Sequence, residues 1–212
     1  MKTLAFRPMS ADWLSIRQVF GEDQFAFLAG IPYVKVIVDL GAYSGYASYY
    51  LKSLYSEAKL IAVEPQEIPF TLCKQNLEGL SDVHIIKAAV WHTYVNQLYL
   101  VRTRKDKQFF HETATRVTSK KVGSSVACIT MEQIFKRFKL SKIDLLKVDI
   151  ENSERTLFQR EFATWLSKVR NIAIEFHSAE AKSTLLDTLL DYRYDLLRRG
   201  EIYLFKNIKK RI

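Results

Sequence analysis

The sequence predicts an α/β fold: a doubly wound, mostly parallel sheet with helices on both faces and an antiparallel hairpin at its C-terminal edge. Three observations predict it. Short, branched-rich apolar runs recur with almost no polar alternation, the pattern of parallel strands covered on both faces. Segments with apolar residues three and four apart, helical in period, separate these runs. Acidic residues, once with a histidine, close four of the runs, where an open parallel sheet places its ligand crevice.

Taken in order, residues 1–30 are expected to form a helical cover of one or two helices, with Ser10 as a cap and Trp13, Ile16 and Phe20 on one apolar stripe. Strands follow at 34–38 and 59–63, joined by a helix whose Ala47, Tyr50, Leu51 and Leu54 cover the sheet. The unit repeats from Pro65 to about Leu80, with Ile68, Leu72, Cys73 and Leu77 on one face, and ends in a strand at 83–86. "TMEQIFKRF" has capping-box spacing at Thr130 and Gln133, and "IDLLKVD" gives a strand at 143–149. Ser153 is placed to cap a helix through Leu157, Phe158, Phe162, Trp165 and Leu166. "NIAIEF" is another buried strand, Ala181, Leu185, Leu186 and Leu189 mark a last helix, and "YDLLRRGEIYLFKN" folds around Gly200 as the edge hairpin. Residues 91–126 depart from the repeat. They hold one strand-like run, "QLYLVR", then a polar stretch without clear period, read as an inserted hairpin or lid beside the crevice or else as a surface excursion; Lys105, Lys107, His111 and Glu112 are its candidate acceptor contacts.

A chain of 212 residues fits a single domain, 1–212, that can bury a core without disulfides or a structural metal. With 48% hydrophobic and 26% charged residues the composition excludes a disordered or collagen-like chain. Cys73 and Cys128 read as two reduced core thiols, which suits a reducing, cytoplasmic location. "MKTLAFRPMSADW" offers neither a signal-peptide core nor a bilayer-spanning length, so a soluble protein without a transmembrane segment is expected. The net charge of +9 favours an anionic partner, whether nucleic acid, acidic lipid or phosphorylated substrate, without choosing among them. The basic residues are spread along the chain, densest at "VRTRKDK" and "KNIKKRI", and a nucleic-acid track would need them to converge.

The strand ends carry Asp39, Glu64, Asp149 with Glu151, and Glu175 with His177. After the first strand, "GAYSGYAS" lacks the Gly-Lys-Ser/Thr ending of a triphosphate loop, and Tyr43 stands where a pyrophosphate needs glycine. Asp39 would repel phosphate but can accept bonds from an ammonium or hydroxyl group, and Glu64 is placed to accept ribose hydroxyls. An adenosine ligand with a cationic, phosphate-free tail satisfies both conditions. S-adenosylmethionine is such a ligand.

"VDLGAYSG", "AVEPQ", "AAVW", "VACITMEQIF", "IDLLKVDIENSE" and "IAIEFH" occur in an order that resembles the FkbM-like, S-adenosylmethionine-dependent methyltransferases over residues 34–178. The resemblance implies a class I, Rossmann-like methyltransferase, commonly an O-methyltransferase. It implies that Asp39, Gly41 and Gly45 border the methionine end of the cofactor, that Glu64 binds the ribose, and that Ala88, Ala89 and Val90 lie near the adenine. The family usually has asparagine at Tyr43, whose ring here either covers the cofactor or packs in the core. It usually has glycine and a small residue at Asn152 and Ser153, where Asn152 can still take a left-handed turn.

For an alcohol acceptor, Asp149 or His177 is the expected base and Glu175 its orienting partner, with Glu151 a further candidate. The plain alternatives are a helix cap for Asp149 and a satisfied loop residue for His177. Asp149, Glu175 and His177 could instead hold a divalent metal, but no local ligand spacing supports one and none is assigned. The leading expectation is O-methylation of a small-molecule or glycan hydroxyl, on an acceptor that the basic surplus allows to be anionic. An RNA or protein methyltransferase and a non-catalytic adenosine-ligand binding or interaction module are the competing readings. A narrow pocket beside Glu64 and Asp149 favours the first, a continuous positive groove favours RNA, and a filled crevice favours the binding module.

Overall fold

A computed structural model describes residues 3–102, 115–151, 153–159 and 162–211. The lid candidates Lys105, Lys107, His111 and Glu112, and the turn residue Asn152, lie outside them. In chain order come α1 (Asp12–Ile16), a π-helical turn (Arg17–Gly21), a 3₁₀ turn (Ala26–Gly30), β1 (Val36–Leu40), α2 (Tyr46–Leu54), β2 (Lys59–Val63), α3 (Glu67–Leu77) and β3 (Val83–Ile86). The short strands β4 (Ala89–Val90), β5 (Leu98–Arg102), β6 (Thr115–Thr118), β7 (Ser124–Val126) and β8 (Cys128–Ile129) follow. The chain then runs through α4 (Met131–Arg137), β9 (Leu145–Val148), α5 (Glu154–Leu157), α6 (Phe162–Leu166), β10 (Ile172–Glu175), α7 (Ala179–Thr188), β11 (Tyr192–Arg199) and β12 (Ile202–Lys210).

Seven strands form the main sheet in the order β11-β12-β10-β9-β1-β2-β3. From β3 through β10 all neighbours are parallel, and β12 joins β10 antiparallel as half of the edge hairpin. The chain winds outward from β1 to β3, then crosses back to build β9 on the other side of β1. The crevice beyond the carboxyl ends of β1 and β9 is therefore the topological switch point. Alternate strand residues serve different layers. Val38, Leu40, Ile61, Val63, Leu146 and Val148 pack under α4, α6 and α7, while Ile37, Leu60, Ala62 and Leu145 pack under α2, α3 and the N-terminal segment. Both cysteines are free thiols, and among the described residues no helix is long and apolar enough to cross a membrane.

The Thr130 capping box forms as its spacing predicts. Other local expectations need correction. β1 begins two residues later than predicted: Val34 is buried by packing, but the ladder starts where Val36 meets Lys59. In the cover the π-helical turn adds a residue to the helical repeat, so the predicted stripe does not hold: Trp13 is 57% exposed, while Val19, Phe25 and Leu28 are buried. Ser10 accepts from the Asp12 amide at 3.1 Å, yet Ala11 occupies the cap position. Ile68 is 61% exposed, because the inward face of α3 is Pro69, Cys73, Asn76 and Leu77. The helix expected after Ser153 is two short ones, and the Ser153 side chain caps neither. Within 91–126, β5 pairs with β6 and β7 in a small antiparallel sheet.

Gly41 has φ +79°, and a Cβ there would lie 1.7 Å from the Asp149 carbonyl oxygen. Gly41→Ala is therefore expected to destabilise the protein by about 3 kcal/mol or more in urea titrations. Gly79, with the same φ and open space around it, supplies the control, where alanine should cost only about 1–2 kcal/mol.

Candidate active site

Asp39 on β1 and Lys147 on β9 stand opposite each other in register, on the face of the sheet that packs under α2. Both are buried. Lys147 Nζ lies 3.0 Å from Asp39 Oδ1 and 3.5 Å from Asp149 Oδ2, and donates to the Gly41 carbonyl at 2.9 Å. Burial alone would lower the lysine pKa, but Asp39 and then Asp149 outweigh it and raise it, so the ammonium persists. Asp39 Oδ2 accepts from Ser48 at 2.6 Å, which ties the pair to α2. Sequence reasoning missed Lys147. Its signal was a single charge inside the apolar run "LLKV" of a central strand.

Two adjoining cavities open at the switch point. The first, about 430 Å³, is walled by Glu64, Pro65, Ala88, Ala89, Val90 and Val117 among others; the second, about 410 Å³, by Gln18, Gln24, Tyr43, Lys147 and Glu175 among others. Gly41 and Asp149 border both. Glu64 is almost wholly buried and accepts from the amides of Gln66 at 2.8 Å and Tyr43 at 2.9 Å. Its carboxyl is pushed up to about 7, because burial outweighs those two bonds and the distant Lys147.

Not every expected cofactor contact reaches a cavity. Asp39 is fully buried and faces Lys147 and Ser48, not an opening, since a carboxylate on that side of β1 points beneath α2. Gly45, at φ +83°, starts α2, and a Cβ there would press on Cys73 at 3.0 Å, so it serves helix packing. Tyr43 has φ +50° and lines the second cavity. Its hydroxyl accepts from Arg7 at 2.6 Å, and the guanidinium sits 5.3 Å above its ring. Arg7 is paired in turn with the buried Asp12, which also accepts from Ser44 at 2.8 Å.

Asp149, Glu151 and His177 meet at the ends of β9 and β10. The His177 Nδ1 is paired with Glu154 Oε1 at 2.8 Å, while Nε2 faces Asp149 at 3.6 Å, Glu151 at 3.7 Å and Glu175 at 3.8 Å. The orienting partner is thus Glu154, absent from the sequence reading, rather than Glu175. Burial would lower the imidazole pKa, but the Glu154 bond and the carboxylates of Asp149, Glu154 and Glu151 raise it to about 9. Glu175 is raised to about 7, by burial first and then by Asp149. The left-handed residue of this turn is Glu151, at φ +50°. His177 lines neither cavity, whereas Asp149 lines both and Glu175 the second.

A mostly parallel sheet in this strand order, with its antiparallel edge hairpin, is the class I, Rossmann-like methyltransferase fold. The fold is similar to those of a TrmK from M. capricolum in complex with S-adenosyl-homocysteine (TM-score 0.52, 14% identity, 91% of this chain and 70% of that one), an rRNA methylase from Streptococcus thermophilus (0.51, 13%, 88% and 93%) and a precorrin-6y C5,15-methyltransferase from Geobacter metallireducens (0.51, 11%, 87% and 85%). In sequence the chain is 27% identical, over 203 aligned residues, to the methyltransferase sdnD of Sordaria araneosa, covering 81% of this chain and 78% of that protein. The methyltransferase FkbM domain matches residues 39–196, and the chain belongs to that family. It is an S-adenosylmethionine-dependent methyltransferase. The first cavity suits that cofactor: its described walls carry the carboxylates of Glu64, Asp149 and Glu151 and no cation, which favours a sulfonium and disfavours a pyrophosphate.

Replacing Lys147 by methionine would leave Asp39 buried without its counter-charge, and chemical denaturation is expected to show a loss of about 3–5 kcal/mol. Adding Asp39→Leu in the same chain should recover much of that loss, since the uncompensated charge is then gone.

Proposed function

We propose that this methyltransferase acts on the hydroxyl of a small molecule or glycan. The observation that supports it is the second cavity: a half-open cleft of about 410 Å³, with Gln18, Gln24, Asp149 and Glu175 on its walls. Amides and carboxylates offer hydrogen bonds to hydroxyl groups. Lys147 is the cation on its described walls, and Asp39 already engages it. Asp149, Glu151 and Glu175 would repel a phosphate backbone or an anionic acceptor, which favours a neutral one over RNA. Open cavities at the switch point likewise weigh against a filled, non-catalytic module.

In this reading Glu64 accepts the ribose hydroxyls, Ala89 with its neighbours forms the adenine-side wall, and Gly41 and Tyr43 shape the turn. Asp39 and Gly45 act from behind, one by holding Lys147 and the other by seating α2. Bound S-adenosylmethionine supplies a methyl carbon activated by its sulfonium. Asp149, or Glu175 beside it, accepts the hydroxyl proton as the acceptor oxygen closes on that carbon. His177, pinned by Glu154, positions Asp149. The two cavities meet at Gly41 and Asp149, and holding cofactor and acceptor side by side there aligns the two reactants, which is where much of the acceleration of such a displacement arises.

An acceptor panel of sugars, phenols, RNA and peptides, read by S-adenosylhomocysteine release, tests the assignment. Hydroxyl acceptors should turn over, and Glu175→Gln, on the second cavity and not the first, should lower kcat by about 10²–10⁴-fold with cofactor Kd little changed. Methylation of RNA or peptide alone would overturn it.

The raised Glu64 pKa gives a pH test of the cofactor contact. Because the folded chain holds this proton up to about 7, against an ordinary value of 4.5, the stability Glu64 confers is full below 4.5 and is lost as pH rises to about 7. A ligand whose hydroxyls donate to the ionised carboxylate has the opposite trend. Calorimetry should find S-adenosylmethionine binding tightening by up to roughly tenfold per pH unit below 7 and levelling above 8. Glu64→Gln should remove that dependence.

A further inference from the structure

We infer that Asp149, Glu151 and His177 form a site for one divalent metal ion, placed to hold the oxygen of the acceptor. One ligand atom from each residue lies within 4.8 Å of the others, and the three residues come from the end of β9, the turn after it and the end of β10. The imidazole is aimed. Its Nδ1 is bound to Glu154, whose side chain is completely buried, so Nε2 is presented to the gap, as the outer-shell carboxylate does for metal-ligating histidines.

The gap itself has the size of an ion. Nε2 stands 3.6 Å from Asp149 Oδ1 and 3.7 Å from Glu151 Oε2, too long for hydrogen bonds. Two donors each about 2.1 Å from a cation lie roughly 3.0–3.4 Å apart at octahedral or tetrahedral angles. Shifts of a few tenths of an ångström would bring each carboxylate to that spacing from Nε2, with the ion taking the place of the Nε2 proton.

An independent feature also points to a ligand. Ser153 is 3% exposed and its Oγ has no hydrogen-bond partner among the described residues, yet it lines the same cavity as Asp149 and Glu151. A buried hydroxyl in that state is costly unless something polar completes it, and water on a bound cation would do so. One imidazole with two carboxylates and open positions suits a first-row ion such as Mn²⁺ better than Ca²⁺. Such an ion would bind the acceptor hydroxyl and lower its pKa, and Glu175, outside the triad and on the second cavity, would take the proton. That last step rests on the hydroxyl-acceptor reading above; the ion site does not.

Electron paramagnetic resonance of Mn²⁺ titrated into the full chain, without cofactor or acceptor, reads the site directly. One bound Mn²⁺ per chain is expected, with affinity at least tenfold weaker in Glu151→Gln and in His177→Gln. Circular dichroism of both variants, and an unchanged S-adenosylmethionine Kd for His177→Gln, whose imidazole lines neither cavity, will show that they fold. Absence of bound Mn²⁺, or binding that neither variant weakens, would overturn the site. Bound Mn²⁺ lost in both variants, together with no turnover of any hydroxyl, would keep the site and reject the acceptor reading; hydroxyl turnover by a chain that binds no Mn²⁺ would do the reverse.

Discussion

The ion pair between Asp39 and Lys147 is the constraint on which the rest of the site depends. It links the two strands that part at the switch point, and the same ammonium reaches the Gly41 carbonyl and the Asp149 carboxylate. Three groups that must stay in fixed relation, the turn after β1, the residue after β9 and the start of α2 through Ser48, thus share one buried charge. A buried pair of this kind contributes little net stability compared with an apolar replacement, because desolvation offsets much of the attraction. Its contribution is geometric. With Lys147 in place, Gly41 can approach the Asp149 backbone so closely that no side chain fits between them.

From that centre the two cavities divide by chemistry. Glu64 closes one side with a carboxylate bonded to backbone amides and, among the described residues, paired with no adjacent cation, a state that hydroxyl donors would complete. The other side depends on the N-terminal segment, which contributes Gln18 and Gln24 to the wall. That segment is held by buried polar contacts as well as by apolar ones: Asp12 binds Arg7 and Ser44, Arg7 binds Tyr43, and Asn76 exchanges hydrogen bonds with Ala5. The turn that faces the cofactor and the cover that faces the acceptor therefore form one network. Tyr43 is its junction: its amide serves Glu64 while its ring and hydroxyl serve Arg7.

Much of this was legible in the sequence, for identifiable reasons. Fully buried parallel strands lack polar alternation, so β1, β2, β9 and β10 were visible, and strand ends rich in carboxylates marked the crevice. What failed was phase and direction. A single π-helical turn displaced the apolar stripe of the cover, and the alternation of a strand sent Asp39 under α2 rather than into the opening. Glu154 was invisible as the partner of His177 because the two are 23 residues apart in sequence and meet only through packing of α5 against α7, the helix that follows His177. Lys147 was visible in principle: a lysine amid leucines and valine on a central strand must be paired, and the aspartate at the end of β1 was available to pair it.

Net charge was the least informative global property, and the reason bears on the acceptor. The chain carries +9, which suggests an anionic partner, yet the groups converging on the switch point are Asp39, Glu64, Asp149, Glu151, Glu154 and Glu175 against Lys147 and His177. Charges farther away than about 8–10 Å are screened at physiological ionic strength, so a sum over the whole chain does not describe the field beside these carboxylates. A ligand entering the crevice meets the local field, not the total. That field favours the sulfonium of the cofactor, a neutral hydroxyl beside it and a cation between Asp149, Glu151 and His177, and it opposes phosphate.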